Sequence, residues 1–216
     1  MLAANRDPIR HKHPRMNPLV SILIPSRALP ERLLAAIESI FKGADNPNDL
    51  EILVRMDDDD DTMRDTSVFN GKAILFLTGK RGAGYLDHHI FYDELASAST
   101  GKWAWFMNDD CLVQGAWMEQ LRSMEPAWVV PGLHVRGESA YPKHCGDIGF
   151  PIVPNGCWKK YGMATIPRYP DRFLYRLLVT ENSWPVSYLD GVTFNHRRDS
   201  DADLERHRSF STVIPE

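Results

Sequence analysis

The sequence predicts an α/β fold, and three observations carry the prediction. Short apolar segments alternate with segments of helical periodicity through the first half of the chain. The apolar segments are unbroken, as expected of strands buried on both faces. Three of them run straight into polar or acidic residues, at the strand ends where open α/β sheets bind ligands.

Composition supports one domain. The chain has 216 residues, 43% hydrophobic and 25% charged, enough for a sizeable core and unlike a disordered, collagen-like or coiled-coil chain. The net charge of -4 gives no general electrostatic footprint for nucleic acid, so no nucleic-acid partner is expected. The longest apolar stretches are far too short to cross a bilayer, so no integral membrane segment is expected. The first thirty residues carry no secretory core, so the expected location is cytoplasmic, membrane-peripheral only through a partner. Three cysteines, Cys111, Cys145 and Cys157, lack the spacing of a disulfide framework or a zinc site.

Residues 1–17 are polar, with two prolines and two histidines, and read as a flexible lead-in. The domain spans 18–216. Val20 to Pro25 is the first expected strand, closed by a proline that cannot donate to a ladder. Pro30 suits a first helical turn, and Leu33, Leu34, Ile37, Ile40 and Phe41 share one helical face up to Gly43. Leu50 to Met56 is the second strand and leads into the acidic run Asp57 to Asp61. Ala73 to Leu77 is the third, followed by the glycine-punctuated turn Gly79 to Gly84. A helix is expected from about Asp87 to Ser99, with Ile90, Phe91, Leu95 and Ala98 inward, and then a fourth strand, Lys102 to Met107, ending in Asn108, Asp109 and Asp110.

The second half is richer in proline, glycine and aromatics. Trp117 and Leu121 mark a short helix, Trp128 to Val130 a strand, and Ile152 and Val153 another. Asp171 is placed to cap a helix carrying Phe173, Leu174, Leu177 and Leu178, and Val186 to Phe194 reads as a late strand. The economical division is a nucleotide-binding half, 18–121, and a half shaping a second pocket, 122–216.

An aspartate such as Asp109 or Asp110 at a strand end suits a hard divalent cation that bridges phosphate oxygens, and it equally suits simple termination of a strand. In the acidic run, Asp57 and Asp58 lie nearest the strand and are positioned to accept hydrogen bonds from a base or ribose. Asp59 to Asp61 are expected to face water. Lys80 and Arg81 would set a cation beside a nucleotide, although the turn is neither a P-loop nor the glycine fingerprint of nicotinamide enzymes. His196 follows a strand and precedes Arg197 and Arg198, a pattern that fits a metal ligand with phosphate-binding neighbours or an ordinary surface histidine.

Together Ser21-Ile-Leu-Ile-Pro-Ser-Arg27, the strand ending in Asp57-Asp58, and Gly101-Lys-Trp-Ala-Trp-Phe-Met-Asn-Asp-Asp110 resemble family 2 glycosyltransferases. The resemblance implies a GT-A (nucleotide-diphospho-sugar transferase) fold, a mixed central sheet flanked by helices. By position it implies that Pro25, Ser26 and Arg27 line a nucleotide pocket and that Asp57 or Asp58 binds the base. Asn108, Asp109 and Asp110 take the place of the DxD motif, with asparagine where the first aspartate is usual and Asp110 as the metal ligand. Asp171 would match the catalytic base, and His196 a metal-binding histidine. Arg81 and Arg198 would complete the nucleotide site.

On that resemblance the expected activity is metal-dependent, inverting transfer of a sugar from a nucleoside diphosphate sugar to a glycan or other hydroxyl-bearing acceptor. Mn2+ or Mg2+ would be the cofactor, a UDP-sugar the favoured donor and a GDP-sugar the second. Trp158, Tyr169 and Trp184 are candidates for stacking on sugar faces, although core packing is the simpler use for most of the six tryptophans. Two rivals remain: a sugar-phosphate nucleotidyltransferase, and a catalytically silent nucleotide-sugar or glycan-binding domain.

Overall fold

In the computed structural model the described residues are 17–63, 65–69, 74–82, 87–135, 138–139, 150–165 and 170–196, with 133–135, 138–139, 170–172 and 196 described at the backbone alone. Within them the chain builds one mixed sheet in the order β3 (Ile74–Gly79), β2 (Leu50–Asp57), β1 (Val20–Pro25), β4 (Trp103–Phe106), β8 (Ile152–Pro154), β6 (Trp128–Val135), β9 (Val186–His196), β5 (Cys111–Gln114), with β7 (Glu138–Ser139) paired to β6. The first four neighbours are parallel: β1 (Val20–Pro25) lies between β2 (Leu50–Asp57) and β4 (Trp103–Phe106), and β3 (Ile74–Gly79) flanks β2. These strands match the apolar segments of the sequence, and β2 is one residue longer than expected, carrying Asp57 within the ladder opposite Gly79.

Alternation along these strands sorts two cores. Val20, Ile22, Ile24, Ile52, Val54, Trp103 and Trp105 face α1 (Pro30–Lys42) and α3 (Met118–Ser123). Leu23, Leu53, Ala104 and Phe106 face α2 (His88–Ala98) and α4 (Pro170–Tyr175). Neighbouring side chains of a strand point to opposite faces, so covering both faces requires the unbroken apolar runs seen in the sequence. Pro30 opens α1 and Gly43 ends it, as expected. Around α2, however, Phe91, Tyr92, Leu95 and Ala96 are buried and Ile90 is exposed. At 100° per residue the stripe through 91, 92, 95 and 96 leaves position 90 off its edge.

Long-range pairing assembles the second half. β8 (Ile152–Pro154) runs antiparallel between β4 and β6 (Trp128–Val135), and β9 (Val186–His196) runs parallel to β6. β5 (Cys111–Gln114) has no counterpart among the expected strands; it pairs antiparallel with β9 at the far end of the sheet order. Only four residues separate β4 from β5, a reach of roughly 17 Å at full extension. The sheet therefore curls back until β5 packs on α1, where the Val113 N–H donates to Ser39 Oγ at 2.9 Å. The Trp105 and Phe194 rings, 5.4 Å apart edge to face, fill the inside of the curl. β9 bends at Gly191, where φ is +65°, and its register against β6 shifts there.

α4 begins at Pro170, so Asp171 lies inside its first turn instead of capping it, and the helix continues as one π turn over Arg176–Thr180. None of the described helices is long and apolar enough to cross a membrane.

Candidate functional site

The C-terminal ends of β1, β2 and β3 and the β4–β5 turn meet at one edge of the sheet. β1 stops at Pro25, and the Ser26 N–H still donates to the Arg55 carbonyl at 2.9 Å. From there the chain turns outward through Ala28, whose φ of +64° is rare for a residue with a Cβ. The Ala28 N–H donates to Asp60 Oδ2 at 2.7 Å, so the acidic run holds the loop after β1 in that conformation.

Asp60 is therefore not solvated as expected. It is 6% exposed and also accepts from the Thr62 N–H at 3.1 Å and Thr62 Oγ1 at 2.6 Å. Burial works against its charge, but the Thr62 and Ala28 hydrogen bonds hold its carboxyl below the ordinary range. Asp58 and Asp59 are exposed, and the Asp58 N–H donates to the Gly79 carbonyl at 2.8 Å, closing the β2 turn onto β3.

Asp57, 8% exposed, sits between two guanidinium groups. Arg27 Nη1 donates to its Oδ2 at 2.6 Å and Arg55 Nη1 donates to its Oδ1. Arg27 Nη1 also donates to Asp59 Oδ1 at 2.6 Å, and Arg81 Nη1 reaches Asp59 Oδ2 at 3.4 Å. The hydrogen bond to Asp59, followed by that to Asp57, raises the Arg27 pKa against the opposing effect of desolvation, and Arg27 in turn lowers that of Asp59. Arg27, Asp57 and Arg81, each singled out in the sequence, thus belong to one network.

At the next strand end, Ser26 Oγ donates to Asp109 Oδ2 at 2.7 Å, joining the β1 loop to the β4–β5 turn. Burial pushes the Asp109 carboxyl up to about 6, with the Asp110 charge adding to the rise and the Ser26 hydrogen bond opposing it. Asn108 is held from α2, its Oδ1 accepting from the Tyr92 hydroxyl at 2.9 Å. Asp110 Oδ1 accepts from the Cys111 thiol at 3.5 Å, and burial first, then the Asp110 charge, pushes that thiol far above its ordinary value. Cys111 is fully buried and packs in the core.

Register supplies the link to His196. Cys111 is the β5 partner of His196 on β9, so the His196 backbone lies across the ladder from the residue that follows Asp110, although 86 positions separate His196 and Asp110 in sequence. Asp171 and His196 are described at the backbone alone, and Arg198 and Tyr169 lie outside the described residues. Trp158 is core: it is 5% exposed and packs edge to face on Phe106 at 5.7 Å. Trp184 is half-buried against the same cluster.

Two residues of the network, Tyr92 and Arg55, are not among those the sequence marks. The signal for Arg55 was present as a lone cation in the otherwise apolar run Ile52 to Met56. Tyr92 gives no local signal, because it lies on α2 and its hydroxyl partners, the Met107 carbonyl and Asn108 Oδ1, lie in the β4–β5 turn.

No group of three or more His, Cys, Asp or Glu side chains among the described residues is arranged to hold a metal ion. Magnesium commonly takes one or two protein carboxylates and completes its shell with substrate phosphates and water, and the Asp109–Asp110 pair fits that donor chemistry.

No family model and no curated protein matches the sequence. Solved structures do. The chain is similar in fold to S. aureus TarS. Against TarS 1-349 the TM-score is 0.61 at 11% identity, covering 82% of this chain and 59% of that one. Against the same protein in complex with UDP-GlcNAc it is 0.62 at 12% identity, covering 84% and 59%. Against the longer TarS structure it is 0.64 at 10% identity, covering 89% and 39%. The chain thus spans less than two thirds of each TarS chain, and at these identities the likeness is one of fold.

Proposed function

We propose that the protein is a glycosyltransferase of GT-A fold that moves a sugar from a nucleoside diphosphate sugar to an acceptor hydroxyl with inversion. One observation carries the reading. Carboxylates from two strand ends, Asp57 and Asp109, are tied to the same β1 loop through Arg27 and Ser26, on a fold shared with a protein solved with UDP and with UDP-GlcNAc. We read the space beside that arrangement as a nucleotide notch, with acceptors at one end for a base or ribose and hard oxygen donors at the other for a cation and diphosphate.

In this reading Pro25, Ser26 and Arg27 line the nucleotide, Asp57 and Asp58 face the base and ribose, and Asn108 and Asp109 border the ribose and diphosphate. Arg81 and Arg198 supply positive charge. Asp110 and His196 would hold Mn2+ or Mg2+, and the register of Cys111 with His196 supports that pairing. When bound, such a cation neutralises charge on the leaving diphosphate.

Asp171 takes the proton of the acceptor hydroxyl as the oxygen attacks the anomeric carbon from the face opposite the diphosphate. The carbon–oxygen bond to the diphosphate breaks and the configuration inverts. A UDP-sugar is the favoured donor and a GDP-sugar the second, and the acceptor is a glycan or another hydroxyl-bearing molecule. We place the reaction in the cytoplasm, at a membrane surface only through a partner.

The test is calorimetric titration of the protein with UDP and GDP in Mn2+, followed by an assay for sugar release or transfer from UDP-GlcNAc and GDP-sugars. Binding with transfer or hydrolysis supports the reading. Binding without turnover favours the silent binding domain, pyrophosphate-dependent turnover the nucleotidyltransferase, and no binding removes the nucleotide-sugar site.

A further inference from the structure

We propose that Arg55 is a positioning residue that fixes the place and orientation of the Asp57 carboxylate and thereby sets which nucleobase the site accepts. The inference rests on the glycosyltransferase reading above and deepens it at the base end of the notch.

Arg55 is 3% exposed, in the middle of the apolar strand β2. Its guanidinium is engaged in every direction: Nη1 donates to Asp57 Oδ1, Nη2 to the Lys80 carbonyl, and Nε to Glu94 Oε2 at 3.1 Å. Its central carbon lies 4.0 Å from the centre of the Phe91 ring. The fork therefore ties β2 to α2 and to the start of the glycine-rich turn after β3.

Space for it is built in. A Cβ on Gly79 would stand 2.8 Å from Arg55 Nη2, so residue 79 is glycine where the guanidinium needs the room. Gly79 does not have a positive φ, so close approach and not backbone freedom explains it.

A buried charge of this kind is a poor way to gain stability, since a well-packed apolar side chain does as well or better. What an apolar side chain cannot do is hold a carboxylate at a stated place. A carboxylate offers only acceptor lone pairs, and with Arg55 on Oδ1 and the more exposed Arg27 on Oδ2 those of Asp57 are held in one orientation toward a ligand. A base that presents a ring N–H, as uracil and guanine do, satisfies such a group. Cytosine and adenine present a bare ring nitrogen there, which sets acceptor against acceptor.

The test uses the full chain with Mn2+ and reads two affinity ratios by calorimetry, UDP over CDP and GDP over ADP, beside the melting temperature. The unaltered protein prefers the N–H base in at least one pair. Arg55→Lys keeps the charge but loses the planar fork, and Gly79→Ala changes no charge but pushes the guanidinium off its place.

In each folded variant the preferred nucleotide should bind about tenfold more weakly or worse, and the preference should shrink by a similar factor. A merely structural Arg55 would move the melting temperature and leave the ratio alone. If Arg55→Lys does not fold, Gly79→Ala decides by the same ratio.

The proposal is overturned if the variants keep the preference, or if the unaltered protein binds nucleotide without preference in either pair. If the unaltered protein binds no nucleoside diphosphate at all, the glycosyltransferase reading itself has failed and takes this inference with it.

Discussion

Ser26 Oγ lies 2.7 Å from Asp109 Oδ2, a hydrogen bond between residues 83 positions apart that joins the loop after β1 to the turn after β4. It locks together the two segments from which the proposed nucleotide site is built.

The pair makes a pH prediction. Burial first, and the Asp110 charge second, lift the Asp109 carboxyl from an ordinary 3.8 to about 6. A raised value means that the folded protein keeps a proton which the unfolded chain has already lost. The contribution of Asp109 to stability is thus fully present below about 3.8 and is lost as pH rises through about 6. Asp109→Asn cannot titrate. The stability of the variant relative to the parent should rise by about 1–2 kcal/mol between about pH 5 and pH 7.5. Urea melts at the two pH values measure it, and an unchanged difference would show that Asp109 titrates normally.

Asp110→Asn should leave the fold intact and abolish most of the Mn2+ dependence of UDP binding, because a half-buried carboxylate at a notch edge contributes little packing. Calorimetry with and without Mn2+ is the measurement. Equal metal dependence in variant and parent would remove Asp110 from the site.

His196→Ala should raise the metal concentration needed for half-maximal sugar transfer more than it lowers the melting temperature. The expectation follows from the register that places His196 opposite Cys111, next to Asp110. A metal titration of activity, set beside a thermal melt, separates the two effects; an unchanged metal requirement would count against the role.

Asp171 lies in the first turn of α4, where the helix dipole favours a carboxylate by about 0.3–1 kcal/mol. Asp171→Asn should therefore cost little stability, yet lower transfer by about 10²-fold or more if the carboxylate takes the acceptor proton. Turnover near that of the parent with undiminished nucleotide binding would leave Asp171 as a helix-end charge. An NMR assay of the product anomer tests inversion independently.

Gly43→Ala tests the curl of the sheet. A Cβ there would stand 2.4 Å from the Gly115 carbonyl oxygen and 2.5 Å from Trp117 Cδ1, where α1 ends against the chain leaving β5. The indole of Trp117 also donates to the Ile40 carbonyl at 3.2 Å, which holds the ring against the end of α1. Destabilisation of about 1–3 kcal/mol is expected from chemical denaturation. A neutral effect would mean that the close approach of α1 and β5 is not maintained in solution.

Much of the first half could be read from the chain because its signals are local. Val20 to Pro25 is apolar at every position but Ser21 because the strand has a core on each side, and Pro30 and Gly43 bracket α1 by their own backbone chemistry. Asp57 and Asp109 stood out for the same reason, as polar residues at the ends of such strands.

Tertiary structure decided the rest, because pairing between distant strands leaves no periodic trace in either partner. β5 is four residues long and becomes a strand by meeting β9, which also brings His196 across the ladder from the residue that follows Asp110. Asp60, one of five consecutive aspartates, is buried where the Ala28 N–H points at it from another loop, besides its local bonds to Thr62. Arg55 reads as an oddity in an apolar strand until folding surrounds it with Asp57, Glu94, Lys80 and Phe91. Residue types and their order along each strand set which groups reach the notch. Only the folded chain sets which of them meet, since an ion pair or hydrogen bond in a buried edge depends on the positions of both partners at once.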